Sequence, residues 1–323
     1  MQNYTRLNGT PITEEDLQQR LLGLKKIVVH HRRFQELYQV IHDSHLLKNG
    51  AAILGDTGAG KSTLFKTYEE RYARTKKIKI LGGHKVECDI VPILRVELDS
   101  NSRPANVASK LLQQLGDPLY DRGTEKQLTA RVKNHIKDAE VELLIIDEIQ
   151  HLIDTETQRV IRKAADWLKQ LLNDINIPII FGGIKEDAKR IFASNRQLDE
   201  RFPYKPSFVG FNYSTVDQIK EFRVFLKSMD KELPLAERSH LYDPLLAKKI
   251  FYATLGIPRT LYHLLHHSLI SALRSGKDKL EESDLEYGFS LLSFETRPKV
   301  VNPFHGKVFD LQVALENEKP SKS

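Results

Sequence analysis

The sequence predicts an α/β fold built on a parallel sheet, followed by a smaller all-helical domain. Four apolar runs, at 51–54, 90–98, 143–146 and 178–181, have the length of buried strands. Helical segments separate them, because each connection between parallel strands must carry the chain back to the same edge of the sheet. After Phe211 the strand signals stop and the helical signals continue. We therefore expect the domain boundary near this residue.

Capping residues, prolines and apolar spacing mark the predicted helices. A Thr followed three residues later by an acidic residue or Gln is typical of a helix N-terminus. Apolar residues three or four positions apart form a buried stripe. On these grounds we expect helices from Thr13, across Phe34 to Ile41, after Pro104, from Thr124, from Thr215, at 244–255, at 258–273 and at 283–293.

Composition limits the class of protein and its surroundings. Cys88 is the single cysteine, so no internal disulfide can form, which fits a reducing compartment. No apolar run approaches the length of about 20 residues that crosses a bilayer, and residues 1–13 lack the apolar core of a signal peptide. We expect a cytoplasmic protein that does not enter a membrane. The net charge of +6 allows a polyanionic partner but does not by itself select one.

A glycine-rich loop follows the first predicted strand. It fits G-x-x-x-x-G-K-[ST] at every fixed position, and a helix is expected directly after it. In such a loop backbone amides surround the phosphates, the lysine reaches the β and γ phosphates, and the hydroxyl after it binds Mg²⁺. The sequence therefore predicts a site for ATP with Mg²⁺. Its residues are Gly55, Asp56, Thr57, Gly58, Ala59, Gly60, Lys61, Ser62 and Thr63, with Ser62 as a metal ligand.

Two acids follow the apolar run at 143–146. They are Asp147 and Glu148, and the carboxyl ends of parallel strands face the crevice where ligands bind. Asp147 is expected to hold the Mg²⁺, while Glu148 orients or deprotonates the attacking water, which makes the protein an ATPase. The alternative is a solvated acidic pair that opens the next helix.

An arginine in the helical domain is a candidate sensor of the bound nucleotide. Arg259 follows Gly256 and Pro258, which force a sharp entry into a helix and so fix the direction of the arginine. A cation there would report the γ phosphate to the helical domain. The alternative is a solvated arginine in the first turn of a helix.

A second arginine lies at the end of the α/β domain. In a ring or filament, Arg201 could enter the ATP site of a neighbouring subunit and stabilise charge in the transition state. Arg196 is the competing candidate for this role. A surface salt bridge between Arg201 and Asp199 is the alternative.

Several strings resemble the TniB and TnsC family, AAA+ ATPases that regulate target choice in DNA transposition, including systems guided by CRISPR complexes. The resemblance covers residues 30–292. The P-loop and Leu-Gly-Ile-Pro-Arg at 255–259 mark AAA+ proteins generally, while Asp-Glu-Ile-Gln-His-Leu at 147–152 is similar to the string this family carries after its catalytic acids. The strings at 177–183 and 198–202 add to the likeness.

The resemblance implies an AAA+ P-loop NTPase core with a small all-helical lid domain. The expected parts are an N-terminal extension at 1–29, the nucleotide-binding domain at 30–212, the lid at 213–295 and a C-terminal tail at 296–323. Prolines and polar residues in the tail predict an extended or disordered segment unless a partner binds it.

The resemblance also implies a hexameric ring or helical filament on double-stranded DNA. This assembly would recruit transposase, work with target-selection proteins and come apart on ATP hydrolysis. The family contacts DNA between its second and third strands, and we expect the cations there to follow the phosphate backbone. The alternative is a solvated helix face, because acids are interspersed. The candidates are Arg103, Lys110, Lys126 and Arg131, with Asn101 and Ser102 nearby.

One departure from the AAA+ pattern bears on activity. AAA+ proteins usually end the fourth sheet strand with a polar residue that positions water, whereas this strand ends in Gly182 and Gly183. Slow turnover, or a nucleotide-gated scaffold, is therefore an alternative function. A replication initiator or helicase loader is another, which a separate C-terminal DNA-reading domain would favour. A protein-unfolding motor is disfavoured, because Tyr120 is the single aromatic residue between Tyr72 and Asp147.

Overall fold

The computed structural model describes residues 4–81, 83–152, 157–306 and 308–319. The chain divides into an α/β unit, Arg33–Phe208, and a helical unit made of Met1–Arg32 and Val209–Ser323. Among the described residues, the strands are β1 Ala51–Leu54, β2 Thr75–Leu81, β3 His84–Ile90, β4 Ile93–Glu97, β5 Leu143–Asp147 and β6 Ile179–Gly183.

The α/β unit carries helices on a parallel sheet. The strands lie in the order β1-β6-β5-β4, so the chain crosses over between neighbouring strands. An extended segment runs parallel to β1 on its other side, through bridges from Ala51 to Tyr204 and from Leu54 to Ser207. The helices are α2 Arg32–Leu47, α3 Lys61–Glu70, α4 Pro104–Gln114, α5 Glu125–Asp138, α6 Gln158–Ile175, α7 Lys185–Ser194 and α8 Arg196–Glu200, with a 3-10 helix at Ile149–Leu152.

The register of the sheet aligns the strand ends that carry the predicted site. Leu54 of β1 lies opposite Gly183 of β6, and Asp147 of β5 lies opposite Glu97 of β4. Strands β1, β5 and β6 are buried along their whole length, as expected for a sheet covered by helices on both faces. The parallel sheet that the apolar runs predict is therefore confirmed.

The apolar run at 90–98 is divided between two strands. Ile90 ends β3 and Ile93 begins β4, because Pro92 lies between them and a proline cannot donate to a ladder. The sequence reasoning missed the antiparallel hairpin of β2 and β3. This hairpin is a two-stranded ribbon that leaves Ile78 and Ile80 69% and 73% exposed, so it lacks the buried run that identifies a core strand. Alternation of Lys and Ile before Gly82 and Gly83 was the available signal.

The helical unit contains α1 Glu14–Lys25, α9 Val216–Glu232, α10 Pro244–Thr254, α11 Pro258–Arg274, α12 Glu282–Ser290 and α13 Leu311–Glu318. The predicted caps are present: Thr13 accepts from the amide of Asp16, and Thr215 from that of Gln218. Helix α1 packs against α11, and the Gly9 amide donates to the Gly276 carbonyl at 2.9 Å. The N-terminal segment is thus part of this unit.

No helix in the described ranges is long and apolar enough to cross a bilayer.

In the described residues 297–306 and 308–319, the tail is folded as part of the helical unit, contrary to the extended or disordered segment that its prolines predict. Phe304 is 3% exposed and belongs to the unit's core. Arg297 donates to both carboxylate oxygens of Glu318 in α13, each at 2.8 Å, and its guanidinium lies over the ring of Tyr252. Buried apolar area and a bidentate ion pair therefore offset the entropy of ordering the tail.

Candidate nucleotide site

The glycine-rich loop joins β1 to α3. Gly60 precedes the helix at φ 112°, a conformation that residues with a Cβ rarely adopt. Lys61 opens the helix, and its Nζ donates to the carbonyls of Gly55 and Asp56 at 2.9 and 2.8 Å. The loop therefore wraps around its own lysine, as a phosphate-binding P-loop does. The Gly55 amide donates to the Gly183 carbonyl at 3.0 Å, which ties the loop to the end of β6.

The predicted metal ligands lie together. The hydroxyl of Ser62, in the first turn of α3, donates to Oδ2 of Asp147 at 2.7 Å. These residues are 85 positions apart in the chain, and the order of the parallel strands brings them into contact. The structure thus joins the glycine loop and the acids at the carboxyl edge of the sheet.

Asp147 is a buried carboxylic acid, with 0% exposure. Burial raises its pKa above the ordinary value, although hydrogen bonds from the Ser62 hydroxyl and the Glu148 amide oppose the rise. The negative charges of Glu148 and Glu97 add to the rise. A bound cation is the partner that would favour the ionised carboxylate in these surroundings.

Glu148 is half-buried and has an unusual backbone. Its φ of 56° is in the left-handed region, which costs a residue with a Cβ about 1–2 kcal/mol. Its amide donates to Oδ1 of Asp147 at 2.9 Å, and its carbonyl accepts from the His151 amide at 3.0 Å. Strained residues of this kind cluster at functional sites, so the conformation marks Glu148 as a candidate active-site group.

The donor set fits Mg²⁺ bound together with a nucleotide. Ser62 supplies a hydroxyl and Asp147 a carboxylate, and Mg²⁺ in such sites takes its other ligands from phosphates and water. Within the described ranges, no group of three or more His, Cys, Asp or Glu residues is placed to hold a metal ion. A metal ion bound to these two oxygens would need the phosphates of a substrate and water to complete its ligands.

The glycines that end β6 are required by close packing. A Cβ on Gly182 would lie 2.3 Å from Cε2 of Phe65 and 2.4 Å from Oδ1 of Asp147. The strand therefore passes against the buried carboxylate with no room for a side chain. The polar residue that AAA+ proteins usually place at this strand end has no space here.

Arg201 lies at the opposite edge of the sheet from the glycine loop. It lines a cavity of about 430 Å³ together with Asn49 and Ile179. Asn49 lies just before β1, and Ile179 is the first residue of β6. The P-loop follows the other end of β1, a strand of four residues that spans roughly 13 Å. The Arg201 guanidinium donates to Oδ1 of Asn173 at 2.5 Å.

The charged residues near Arg201 in the sequence form ion pairs that do not include Arg201. Asp199 forms an ion pair with Lys205 at 2.8 Å, and Arg196 forms one with Glu200 at 2.7 Å. The side chain of Arg196 is 91% exposed. Both candidate arginines are thus at the surface, and the partner of Asp199 in this fold is a lysine.

Arg259 is exposed in the first turn of α11, directly after Pro258. Gly256 before it has a φ of 68°, and a Cβ there would lie 2.3 Å from the carbonyl oxygen of Phe211. The sharp helix entry that the sequence predicts is therefore present within the helical unit. Its role toward the nucleotide remains a prediction.

The four candidate DNA contacts differ in their surroundings. Arg131 is engaged within its own unit, because it donates to Asp117 and to the carbonyls of Leu119 and Arg122. Lys110 forms an ion pair with Asp99 at 2.8 Å. The side chains of Arg103 and Lys126 are exposed, at the start of α4 and of α5.

Sequence reasoning did not assign a role to Gln150 or to Asp117. Gln150 is buried, and its amide donates to the carboxylate of Glu148. Asp117 is 6% exposed and holds Arg131. Burial would raise the pKa of Asp117, but hydrogen bonds from Arg131 and the Leu119 amide outweigh it and hold the pKa below its ordinary value. The Asp117–Arg131 pair joins residues 14 positions apart, and the Oε1 of Gln150 accepts from the Ile184 amide 34 positions away, so neither contact has a local sequence signal.

Solved structures share this architecture. The chain is similar to ORC2 of Aeropyrum pernix in its ADP form, with 16% identity, 82% of this chain and 69% of that chain covered, and a TM-score of 0.56. The ADPNP-ADP complexes of the same protein give 15% identity, coverage of 84% and 70%, and a TM-score of 0.59. Cdc6p of Pyrobaculum aerophilum gives 18% identity, coverage of 86% and 71%, and a TM-score of 0.57. No curated protein matches the sequence.

The strand order, the P-loop and the acids at the end of β5 define a P-loop protein of the AAA+ class. The family described as "Bacterial TniB protein" matches residues 16–208, more than half of the sequence. The chain belongs to the TniB family.

The packing around Gly182 predicts how a polar side chain at this position would change stability and activity. Gly182→Ser is expected to lower the melting temperature and to reduce ATP hydrolysis, because its Cβ must displace Phe65 or Asp147. Overpacking of this kind costs about 1–3 kcal/mol. Thermal unfolding and an ATPase assay measure the two effects.

Gly23→Ser is the matched control. A Cβ at Gly23, in α1, meets its nearest atom, the hydroxyl of Tyr4, at 3.2 Å, so a small change in stability is expected. A Gly182→Ser protein as stable and active as the wild type would contradict the packing argument.

Proposed function

We propose that this chain hydrolyses ATP with Mg²⁺ and acts as a DNA-binding regulator of DNA transposition. The proposal depends chiefly on the 2.7 Å hydrogen bond from the Ser62 hydroxyl to the Asp147 carboxylate. Glu148, the proposed base, directly follows Asp147 in the chain. It brings a P-loop hydroxyl and a strand-end carboxylate to one point, where a nucleotide's metal is held in P-loop ATPases. Membership of the TniB family supports the assignment to transposition.

Each residue of the site has a proposed task. Lys61 and the amides of the loop bind the β and γ phosphates, since they supply a cation and N–H donors at a helix N-terminus. Ser62 and Asp147 would hold Mg²⁺, which would supply positive charge to neutralise the phosphates. Glu148 orients water and accepts its proton during attack on the γ phosphate. Arg259 reports the nucleotide to the helical unit.

Arg201 is proposed to act on a neighbouring subunit. It lies at the amino ends of the strands, beside Asn49 just before β1 and Ile179 at the start of β6, whereas its own P-loop follows the carboxyl end of β1. This placement supports action across a subunit interface rather than within one chain. ATP would then hold subunits together in a hexameric ring or helical filament.

The proposed polymer forms on double-stranded DNA and recruits transposase and target-selection proteins in the cytoplasm. The net charge of +6 and the exposed cations Arg103 and Lys126 support contact with a phosphate backbone. Likeness to ORC2 and Cdc6p at 15–18% identity shows the fold alone, whereas membership of the TniB family favours transposition over replication initiation.

Glu148→Gln is expected to trap the assembled state. Removing the general base should slow ATP hydrolysis by roughly 10²–10⁴-fold while leaving ATP binding intact, so assemblies on DNA persist. ATPase rate and light scattering, with and without double-stranded DNA, measure both effects. A variant that disassembles at the wild-type rate would show that Glu148 is not the base, and a wild type with no response to DNA would remove the transposition proposal.

Arg201→Ala is expected to abolish hydrolysis that depends on assembly. An arginine finger contributes about 10³–10⁵-fold to the rate in related chemistry, whereas ATP binding by an isolated subunit does not need it. The measurements are the ATPase rate against protein concentration and ATP affinity at low concentration. Arg196→Ala is the control, and an effect confined to that control would move the role to Arg196.

Substitutions of two cations of α5 are expected to have different effects, one on DNA binding and the other on stability. Lys126→Met should weaken DNA binding and reduce its salt dependence by about one charge, with an unchanged melting temperature. Arg131→Met should instead destabilise the protein by about 2 kcal/mol, because it removes the charged donor from the buried Asp117 carboxylate and leaves only the Leu119 amide and His135 beside it. DNA titrations at several salt concentrations and denaturant unfolding measure these effects. Equal loss of stability in both variants would contradict the assignment.

A further inference from the structure

Gln150 connects the end of β6 to the proposed catalytic base. It lies in the 3-10 helix Ile149–Leu152, is 5% exposed, and uses both ends of its amide. Its Nε2 donates to the carboxylate of Glu148, and its Oε1 accepts from the amide of Ile184 at 3.1 Å. Ile184 directly follows β6 and caps α7, so its amide is part of the sheet's rigid edge.

The glycine that ends β6 makes room for this bridge. A Cβ on Gly183 would lie 2.8 Å from Oε1 of Gln150 and 2.8 Å from a methyl of Ile149. A side chain at the strand end and Gln150 therefore exclude each other. The glycine pair allows a polar group to approach Glu148 from the loop after β5, instead of from β6 itself.

We infer that Gln150 is a positioning residue, which holds the Glu148 carboxylate in the orientation that activates water. Glu148 is half-buried at a strained backbone position, and its side chain would otherwise sample several rotamers. A hydrogen bond from a buried amide anchored to the sheet selects one of them. The polar function that AAA+ proteins usually place at the end of this strand is supplied here by Gln150. The inference rests on the proposed ATPase function of the site.

A purely structural role for Gln150 is the competing explanation, in which it only satisfies the Ile184 amide. Gln150→Glu separates the two roles. A carboxylate oxygen can still accept from the Ile184 amide, but the donor to Glu148 is replaced by an acceptor. The variant keeps the shape of the side chain and removes the positioning bond.

Gln150→Glu is expected to lower kcat by at least about tenfold, with KM for ATP and ATP affinity close to those of the control. Its melting temperature is expected to fall below that of the control, because the variant buries a second carboxylate beside Glu148. Gln170→Glu, at an exposed position of α6, is the control because it introduces the same charge change at the surface. Gln150→Met removes both bonds, so it should lose kcat to a similar extent and also lose stability. A kcat within twofold of the control in either Gln150 variant overturns the inference.

A double-mutant cycle tests whether Gln150 acts through Glu148. In a Glu148→Gln background, adding Gln150→Glu should change the single-turnover rate by less than twofold, because the group being positioned is absent. A full additional loss in that background overturns the inference. If Glu148→Gln abolishes ATP hydrolysis but Gln150→Glu does not, the inference about Gln150 is wrong and the proposed function stands. If the wild-type protein hydrolyses no ATP, the proposed function is wrong as well.

Discussion

The hydrogen bond from Ser62 to Asp147 is the constraint around which the α/β unit is arranged. It joins the first turn of α3 to the end of β5, and Asp147 is fully buried there. A buried carboxylate is costly unless it is hydrogen-bonded or charge-compensated. The Ser62 hydroxyl and the Glu148 amide provide part of that compensation, while burial still raises the pKa of Asp147 above its ordinary value. The same surroundings that penalise the free carboxylate favour a bound cation.

Close packing around that carboxylate determines what the neighbouring strand can contribute. Phe65 and Asp147 fill the space where Gly182 would carry a Cβ, so β6 contributes backbone at this point and no side chain. Its carbonyl at Gly183 holds the Gly55 amide at the start of the P-loop. The amide after β6 anchors Gln150, which donates to Glu148. The glycine pair is thus consistent with an active hydrolase, because a polar group reaches Glu148 by another route.

The basic residues of the α/β unit fall into groups with different physical roles. Arg131 is engaged by the buried Asp117 and two carbonyls, which makes it a structural cation. Arg103 and Lys126 are exposed and suit a long-range attraction to phosphates. Arg201 stands at the sheet edge opposite its own P-loop. Net charge alone does not distinguish these roles, since the distinction lies in burial and in which carboxylate each cation meets.

The sequence by itself determined the features that depend on neighbours along the chain. The glycine loop between a strand and a helix, the apolar strand ending in Asp147 and the capped helices were confirmed, because a tight loop, a buried strand and a helix cap each depend on a few adjacent residues. Tertiary structure alone decided the hairpin of β2 and β3, the folded tail and the bridge through Gln150. The tail is held by Arg297 and Glu318, and the bridge needs Ile184 beside a residue 34 positions earlier. Contacts of this kind join segments whose sequence spacing carries no periodic signal, so packing alone selects them.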